Sequence, residues 1–590
     1  MKLKLFVFIA ISTTFIYSQS IMEKISPQVN QTASQLTGST PVHLWVFFKD
    51  KCITLSKAIA QPEKILSAKA IERRKLRAGN AGIDESDLPV STSYINKIAS
   101  LGCTIRQTSK WFNGISIVTT KNMLPVLAEL PEVSKIDLVY SFKREKPIPE
   151  VLEKQAVSEP DKQPAGVYAL DYGTAYTQLN QIKVPDVHAL GYTGKGVTIA
   201  VFDAGFNRLS HESFTHLFTN SKILATHDFV NHQTSVADGT GLMGTGEHGT
   251  QTLSCIGAYK PGKLIGSAFD ASFILAKTEN TDSETPTEED NWLAAVEWAD
   301  SIGVDIISSS LGYDTFDSPY TSYTYANMDG KTCRITLTAA MAARKGIVVV
   351  NSASNNGYNA TVNTLSAPAD ADSIITAGSV TSAGSRSSFS SVGNTIDGRV
   401  KPDVMAMGSS AAVASPTDDT LYTYNSGTSF SCPITAGVAA LLLSAKPSLT
   451  PVAVRDALRS TASNASTPTR LMGWGIINAL AAITLVTDSS YQPPVIVNNF
   501  TVYDAYPNPF NPSVTIRYDL PQQGNVKINI YDINGNLIKS LTNEEQAAGY
   551  HKEISWNGRN AVNHLVSSGT YFCRIEYNNL IVTKKLLLVK

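Results

Sequence analysis

One segment constrains this chain more than any other: Tyr424-Asn425-Ser426-Gly427-Thr428-Ser429-Phe430-Ser431-Cys432-Pro433, which runs directly into the apolar stretch 434–445. Phe430, Ile434, Val438, Leu441 and Leu442 fall at spacings of three and four, the pattern of an apolar helix. Gly427 and Thr428 form the tight approach to it. Pro433 fits in the first turn, where a backbone N–H would have no intrahelical partner anyway. The Ser429 hydroxyl therefore sits among unpaired N–H groups at the positive end of a helix dipole, a setting that suits a nucleophile whose product is an oxyanion. Most serines at such a place are only N-caps, so a catalytic reading needs partners found independently.

A serine at its ordinary pKa is a poor nucleophile and needs a base, with a third group to orient that base. The chain has nine histidines. His248, in Gly246-Glu247-His248-Gly249-Thr250-Gln251-Thr252-Leu253, stands where a glycine-flanked loop meets an apolar helical pattern, a junction that can project a side chain into a cleft. The run 197–205 reads as a buried parallel strand ending in Asp203 and a glycine turn. Catalytic groups of open α/β sheets gather at such strand ends. Taken singly, Asp203 could be a helix cap and His248 a loop histidine; the three together are far more specific.

These motifs, in the order Asp, His, Ser, resemble the subtilisin-like serine proteases (subtilases). The order discriminates, since chymotrypsin-like enzymes run His, Asp, Ser and α/β-hydrolases run Ser, acid, His. A fourth match, Val348-Val349-Val350-Asn351-Ser352-Ala353-Ser354-Asn355-Asn356-Gly357, places Asn355 where the family has its oxyanion-binding amide. Similarity extends to Ser310, Leu311 and Gly312, with Ala353 and Ser354, as substrate-cleft positions, and to Lys401-Pro402-Asp403-Val404 and 473–479; it covers roughly 180–485. Two positions depart from the pattern. Ala204 stands where the family usually has Ser or Thr, and Ser354 where it usually has Gly, which brings a side chain to the primary specificity pocket. The resemblance implies a secreted serine endopeptidase that works through an acyl-enzyme and is made as a self-processed zymogen. Asp203, His248 and Ser429 would form the triad, with Asn355 as an oxyanion donor. The contrasting reading is a catalytically silent surface or adhesion protein on the same scaffold, and intact Asp203, His248, Asn355 and Ser429 argue against it.

At 590 residues the chain is long enough for several domains. A net charge of −1 with 17% charged residues lacks the basic footprint of a nucleic-acid partner. Met1-Lys2-Leu3-Lys4 and the apolar stretch 5–17, with Ser18 or Ser20 for cleavage, read as a signal peptide spanning 1–20. That stretch is too short for a membrane anchor, and no later segment reads as one. Residues 43–140 alternate in a βαββαβ order, with 49–89 as an insertion carrying a basic amphipathic run at 68–77. This region, bounded at 40–142, resembles the subtilase propeptide, an inhibitor and folding aid in that family. A Pro-, Glu- and Lys-rich linker follows at 143–165, then the peptidase domain at 166–487.

After a boundary at 488–502, the alternating runs 514–518, 526–531 and 570–575, with an Asn534-Gly535 hairpin signal, predict an all-β domain at 503–590. Its motifs Tyr506-Pro507-Asn508-Pro509-Phe510-Asn511-Pro512, Tyr531-Asp532 and Ser568-Gly569-Thr570-Tyr571 resemble the C-terminal sorting domains of type IX secreted proteins. A domain binding carbohydrate or cell wall is the alternative. The expected architecture is thus a doubly wound, mainly parallel α/β peptidase, flanked by an α+β ferredoxin-like propeptide and an immunoglobulin-like β-sandwich. Expected partners are protein or peptide substrates, the chain's own propeptide and outer-membrane secretion machinery. No cofactor is needed for the chemistry. Structural calcium accompanies many subtilases, but outside EF-hand loops no fixed spacing marks its ligands.

Three further features have a plain structural reading. Gly239-Thr240-Gly241-Leu242-Met243-Gly244 spells a dinucleotide fingerprint but lacks a strand before it. His211/His216 and His227/His232 read as solvated loop histidines, since no HExxH or Cys cluster accompanies them. Of the six cysteines, Cys255 and Cys432 read as buried free thiols, and Cys52 could pair with Cys103 if the two come close.

Overall fold

The computed structural model describes residues 23–34, 37–53, 55–78, 83–139, 163–164, 167–282, 287–314, 322–488, 500–520, 524–546, 549–578 and 580–589. The expected signal peptide and most of both expected linkers lie outside the described residues. The chain divides into two units, Met1–Tyr491 and Gln492–Lys590.

The first unit is built on a seven-stranded sheet, in the order Val404–Met407, Ile375–Val380, Val348–Ser352, Ile306–Ser309, Thr198–Asp203, Ser272–Lys277, Ile223–Asp228. Every neighbouring pair is parallel. Because successive strand side chains point to opposite faces, Ile199, Val201, Ile306, Val348 and Val350 enter one core, while Ala200, Phe202, Ile307 and Val349 enter the other. Both faces of the central strands are covered, so their middles, such as 199–202 and 348–350, are apolar, in keeping with buried parallel strands. The chain reverses its winding between Ser272–Lys277 and Ile306–Ser309, which flank Thr198–Asp203 on its two sides. Open α/β sheets bind ligands at the carboxyl ends of strands beside such a switch point.

The helix Thr428–Ala445 crosses one face of this sheet. By length and hydropathy it could cross a bilayer, contrary to the expectation that no later segment reads so, yet 89% of it is buried inside the fold. The helices Thr287–Ile302 and Arg334–Arg344 cover the other face. Thr287–Ile302 begins with Glu288, Glu289 and Asp290, all buried. Burial pushes the Glu289 carboxyl up to about 8, with the nearby Asp290 and Glu279 adding to the shift and Arg334 and the Tyr323 hydroxyl opposing it.

Glu289 is therefore protonated in the native state at neutral pH. Its contribution to stability is complete below the unfolded carboxyl pKa, near 4.5, and is lost as pH rises toward 8. Glu289→Gln should flatten the fall in melting temperature between about pH 5 and 9. Superimposable pH profiles for the two proteins would refute this.

N-terminal to that sheet lies a separate four-stranded antiparallel sheet, in the order Thr104–Ser109, Gly114–Thr120, Pro41–Phe48, Val133–Leu138. The helices Thr92–Ser100 and Leu124–Glu129 supply Ile98, Leu124 and Leu127 to its core. The predicted βαββαβ order is present here to within a few residues at each element. The opposite face of this sheet lies on Thr287–Ile302: Trp45 Nε1 donates to Asp290 Oδ1 at 2.7 Å, and Ser109 Oγ donates to Glu297 Oε1 at 2.6 Å.

The basic run forms the helix Ala68–Arg77, capped by Ser67, which accepts from Ala70 N. Its arginines are not solvated: Arg73 and Arg74 are each 2% exposed.

All six cysteines are free thiols, so Cys52 and Cys103 do not pair, and Cys255 and Cys432 are buried as expected. The pair His211/His216 departs from the solvated reading, whereas His232 is exposed as expected and His227 is half-buried. His211 is fully buried, with Nε2 2.8 Å from Leu421 O and Nδ1 2.9 Å from Ser213 Oγ, and His216 Nε2 lies 3.0 Å from Phe269 O. They hold loops together through backbone carbonyls, an arrangement invisible in sequence spacing.

The second unit comprises two antiparallel sheets. One is Thr501–Val502, Val514–Leu520 and Gly549–Trp556; the other is Leu537–Gln546, Gly524–Tyr531, Gly569–Tyr577 and Leu580–Leu588. Val514, Ile516, Tyr518, Val526, Ile528, Ile530, Trp556, Cys573 and Ile575 share one core. The hairpin at Asn534-Gly535 forms as predicted, with Gly535 at φ 81.

Candidate active site

The expected site residues collect where the central strands end. Asp203 is the last residue of Thr198–Asp203 and is fully buried. Ser310–Gly312 follow Ile306–Ser309, and Ala353–Asn355 follow Val348–Ser352. His248 opens the helix His248–Gly257, and Ser429 is the second residue of Thr428–Ala445.

Glycines make this convergence possible. A Cβ on Gly246 would lie 2.5 Å from Gly205 Cα, and one on Gly249 would lie 2.3 Å from Gly205 O. The turn after Asp203 and the loop before His248 thus touch backbone to backbone, which brings His248 Nδ1 to 2.7 Å from Asp203 Oδ1. Ala204 N also donates to Oδ1 at 2.8 Å. With Nδ1 on the carboxylate, Nε2 is the ring nitrogen turned away from Asp203. The His248 side chain keeps 22% of its surface exposed, whereas the carboxylate has none.

Sequence reasoning missed one partner. Thr252 Oγ1 donates to Asp203 Oδ2 at 2.8 Å, so both carboxylate oxygens are held. Thr252 lies four residues after His248 on one helix and therefore on the same face; that spacing was the available signal.

Ser429 is 7% exposed. Its carbonyl accepts from Ser310 Oγ at 2.8 Å, and its Oγ lies 3.5 Å from Ser310 O. The neighbouring Phe430 ring is 5.8 Å from the His248 ring, which brings the serine and histidine motifs side by side. Asn355 Oδ1 accepts from Thr428 N and from Thr428 Oγ1, each at 2.9 Å. A backbone N–H can only donate, so these contacts settle which end of the amide is oxygen. The Nδ2 end is left as a donor beside the helix start that carries Ser429.

Ser354 has φ 86, in the left-handed region that glycine adopts without cost. Ser366 Oγ lies 2.7 Å from Ser354 Oγ and 2.6 Å from Asp314 Oδ2. A Cβ on Gly312 would meet Ser366 Cβ at 3.0 Å and Ser354 Oγ at 3.5 Å. Ser354 and Ser366 thus fill space facing Gly312. Ala353 is fully buried, its N–H donating to Ala377 O at 2.9 Å. Asn351 Nδ2 donates to Leu311 O at 2.9 Å. Among the described residues there is no group of three or more His, Cys, Asp or Glu placed to hold an ion.

A doubly wound parallel sheet, with an acid, a histidine and a helix-start serine along one edge, has the architecture of a serine peptidase. The chain belongs to the subtilase family. The profile described as "Subtilase family" matches residues 194–475. Over 341 residues the chain is 34% identical to Subtilisin NAT of Bacillus subtilis subsp. natto, covering 56% of this chain and 79% of that protein. It is likewise 34% identical over 307 residues to a subtilisin of Bacillus pumilus, covering 52% of this chain and 97% of that one. Among solved structures, a protease from Pseudoalteromonas arctica PAMC 21717 aligns with a TM-score of 0.43 at 22% identity, covering 54% of this chain and 99% of that one.

Two other regions match profiles of their own. Residues 43–155 match "Peptidase S8 propeptide domain, Bacteroidota", and residues 504–590 match "Secretion system C-terminal sorting domain". The chain is thus a subtilase carrying a propeptide and an export signal for the extracellular space or cell surface.

Proposed function

We propose that the protein is a secreted serine endopeptidase, made as a zymogen that cuts itself, and that Asp203, His248, Ser429 and Asn355 carry the chemistry. Ser429 Oγ attacks the scissile carbonyl. His248 takes its proton and returns it to the leaving amine, while Asp203 holds the imidazole and stabilises its charged form. Asn355 Nδ2 and the Ser429 N–H, which lacks an intrahelical acceptor at this position, receive the oxyanion. Ser310, Leu311, Gly312 and Ser354 line the substrate cleft, with Ala353 buried behind them and Ser354 narrowing the cleft opposite Gly312. The observation carrying this reading is the 2.7 Å contact between His248 Nδ1 and a fully buried Asp203. A fluorophosphonate labels only a serine with an activated base. Labelling of Ser429 supports the reading, and an unlabelled, folded protein favours the silent-scaffold alternative.

Thr252 is a positioning residue in this scheme. With Ala204 at the position where the family usually offers a hydroxyl, Thr252 supplies one to Asp203 Oδ2 from the histidine helix. Thr252→Val should lower kcat/KM by roughly tenfold, the worth of one hydrogen bond to a charged group. It should also move the acidic limb of the pH profile upward, because a less neutralised carboxylate favours the imidazolium. Thr252→Ser should restore both. A Val variant with an unshifted pH profile would reduce Thr252 to a packing role.

The sheet order of the 41–138 domain favours a ferredoxin-like propeptide, and the two-sheet core of the second unit favours an immunoglobulin-like sandwich. None of the proposed catalytic residues lies beyond residue 491. Deleting 504–590 should therefore leave specific activity nearly intact while stranding the enzyme behind the outer membrane of its host. Fractionation of active protein between periplasm and medium tests this, and normal appearance of the truncated form in the medium would make a binding role the better one.

A further inference from the structure

We propose that the peptidase domain carries a second docking surface for its prodomain, at the end of the parallel sheet opposite the cleft, and that the inserted helix Ala68–Arg77 is the segment that fits it. This rests on reading 40–142 as a prodomain severed from the enzyme. The surface is made where the central strands begin. Thr198 starts the strand that Asp203 ends, so the two sites stand roughly 15–20 Å apart along it. Asp305 directly precedes Ile306–Ser309, and Lys345 and Gly346 precede Val348–Ser352.

The helix is bound there by charge, by backbone carbonyls and by shape. Arg73 pairs with Asp300 and donates to Val304 O at 2.8 Å. Arg74 bridges Asp87 at 2.6 Å and Asp300 at 2.7 Å. Arg77 donates to Asp305 at 2.9 Å and to Pro447 O at 2.7 Å, while Lys69 reaches the other Asp305 oxygen at 3.1 Å. Ser67, the helix cap, donates from its N–H to Ser301 O at 3.0 Å and from its hydroxyl to Ile302 O at 2.6 Å. A Cβ on Gly303 would meet Ala70 N at 2.5 Å, and one on Gly346 would meet Arg77 Cβ at 3.1 Å, so both loops are shaped to the helix. Asp300 is fully buried and Asp305 is 4% exposed.

This contact lies too far from the cleft to block it. Its role is retention. The prodomain is held at two places, through its sheet on Thr287–Ile302 and through this helix, and both precede the linker at 143–165. A cut in the linker leaves both anchors on one fragment, and two linked contacts hold far better than either alone. The severed prodomain therefore has a second hold on the enzyme besides its sheet, and this helix clamp sets how fast the fragment leaves.

The test uses the full chain carrying Ser429→Ala, to prevent self-cutting, with a site for a sequence-specific protease placed in the linker and cleaved after folding. Release of the prodomain is followed by size-exclusion chromatography. The cut parent should remain one complex. Adding Arg73→Met and Arg77→Met leaves Asp300 and Asp305 without those partners under the helix, and should speed release roughly a hundred- to a thousandfold. Equal release rates would overturn the proposal.

If the double variant fails to fold, hydrogen exchange on the cut parent decides. Amides of 68–77 should stay as protected as before the cut, and rapid exchange there while Gly114–Thr120 remains protected would refute the clamp. N-terminal sequencing of the protein with Ser429 intact separates the two readings: an uncut linker sinks the zymogen assignment, whereas the engineered cut still measures the clamp.

Discussion

Ser429→Ala is expected to abolish peptide hydrolysis and to leave the chain uncut between prodomain and peptidase. In a subtilisin, removing the serine or the histidine alone costs about a million-fold in kcat, nearly as much as removing the whole triad, because the three groups act as a unit. The same order is expected here. The surrounding structure should be little disturbed, since Ser429 takes part in the fold mainly through its carbonyl, which accepts from Ser310 Oγ and would remain in alanine. Thermal unfolding of the purified variant should therefore match that of an uncut control. Efficient self-processing by Ser429→Ala protein would remove Ser429 from the mechanism outright.

Asn355→Leu should lower kcat by roughly a hundred- to a thousandfold with a much smaller change in KM. The side chain's Nδ2 meets charge that develops on the carbonyl oxygen during attack, more than it meets the neutral ground state, so its loss is felt in the transition state. The structure adds a complication. Asn355 Oδ1 also accepts two hydrogen bonds from Thr428 at the start of the nucleophile helix, and leucine would remove that acceptor. Asn355→Asp separates the two effects: it keeps an acceptor for Thr428 and places a negative charge where an oxyanion must form. If Asp is as damaging as Leu, the donor is what matters; if Asp restores kcat, Asn355 acts by holding the helix start.

What was legible in the sequence was local. Asp203, His248, Asn355 and Ser429 could be located because each sits in a short motif at a junction of strand, loop and helix, and such junctions are written in consecutive residues. The strand Thr198–Asp203 could be read because burial on both faces makes 199–202 apolar without interruption. Contacts between distant positions were not legible. The run 68–77 read as an amphipathic insertion because its partners Asp300 and Asp305 lie more than two hundred residues away, and a buried arginine looks like a solvated one until its carboxylate is found. His211 misled for the same reason, its partner being the Leu421 carbonyl. Ser354 stands out in the sequence as a departure, but its left-handed backbone and its neighbours Ser366 and Asp314 depend on a loop fold that no periodicity encodes.

The free thiols make the maturation state visible from outside. Cys255, Cys333, Cys432 and Cys573 are buried, and burial pushes the Cys432 and Cys573 thiols up to about 12, so they offer almost no thiolate at neutral pH. Cys52 alone is exposed, and it belongs to the prodomain. An alkylating dye added to native protein should therefore mark the zymogen and any enzyme still carrying its prodomain, and pass over enzyme that has shed it. For an exported hydrolase this has a chemical meaning as well: once matured, it meets oxidants and soft metal ions in its surroundings without a single accessible sulfhydryl among its described residues, and it reaches that state without needing a disulfide catalyst along its route.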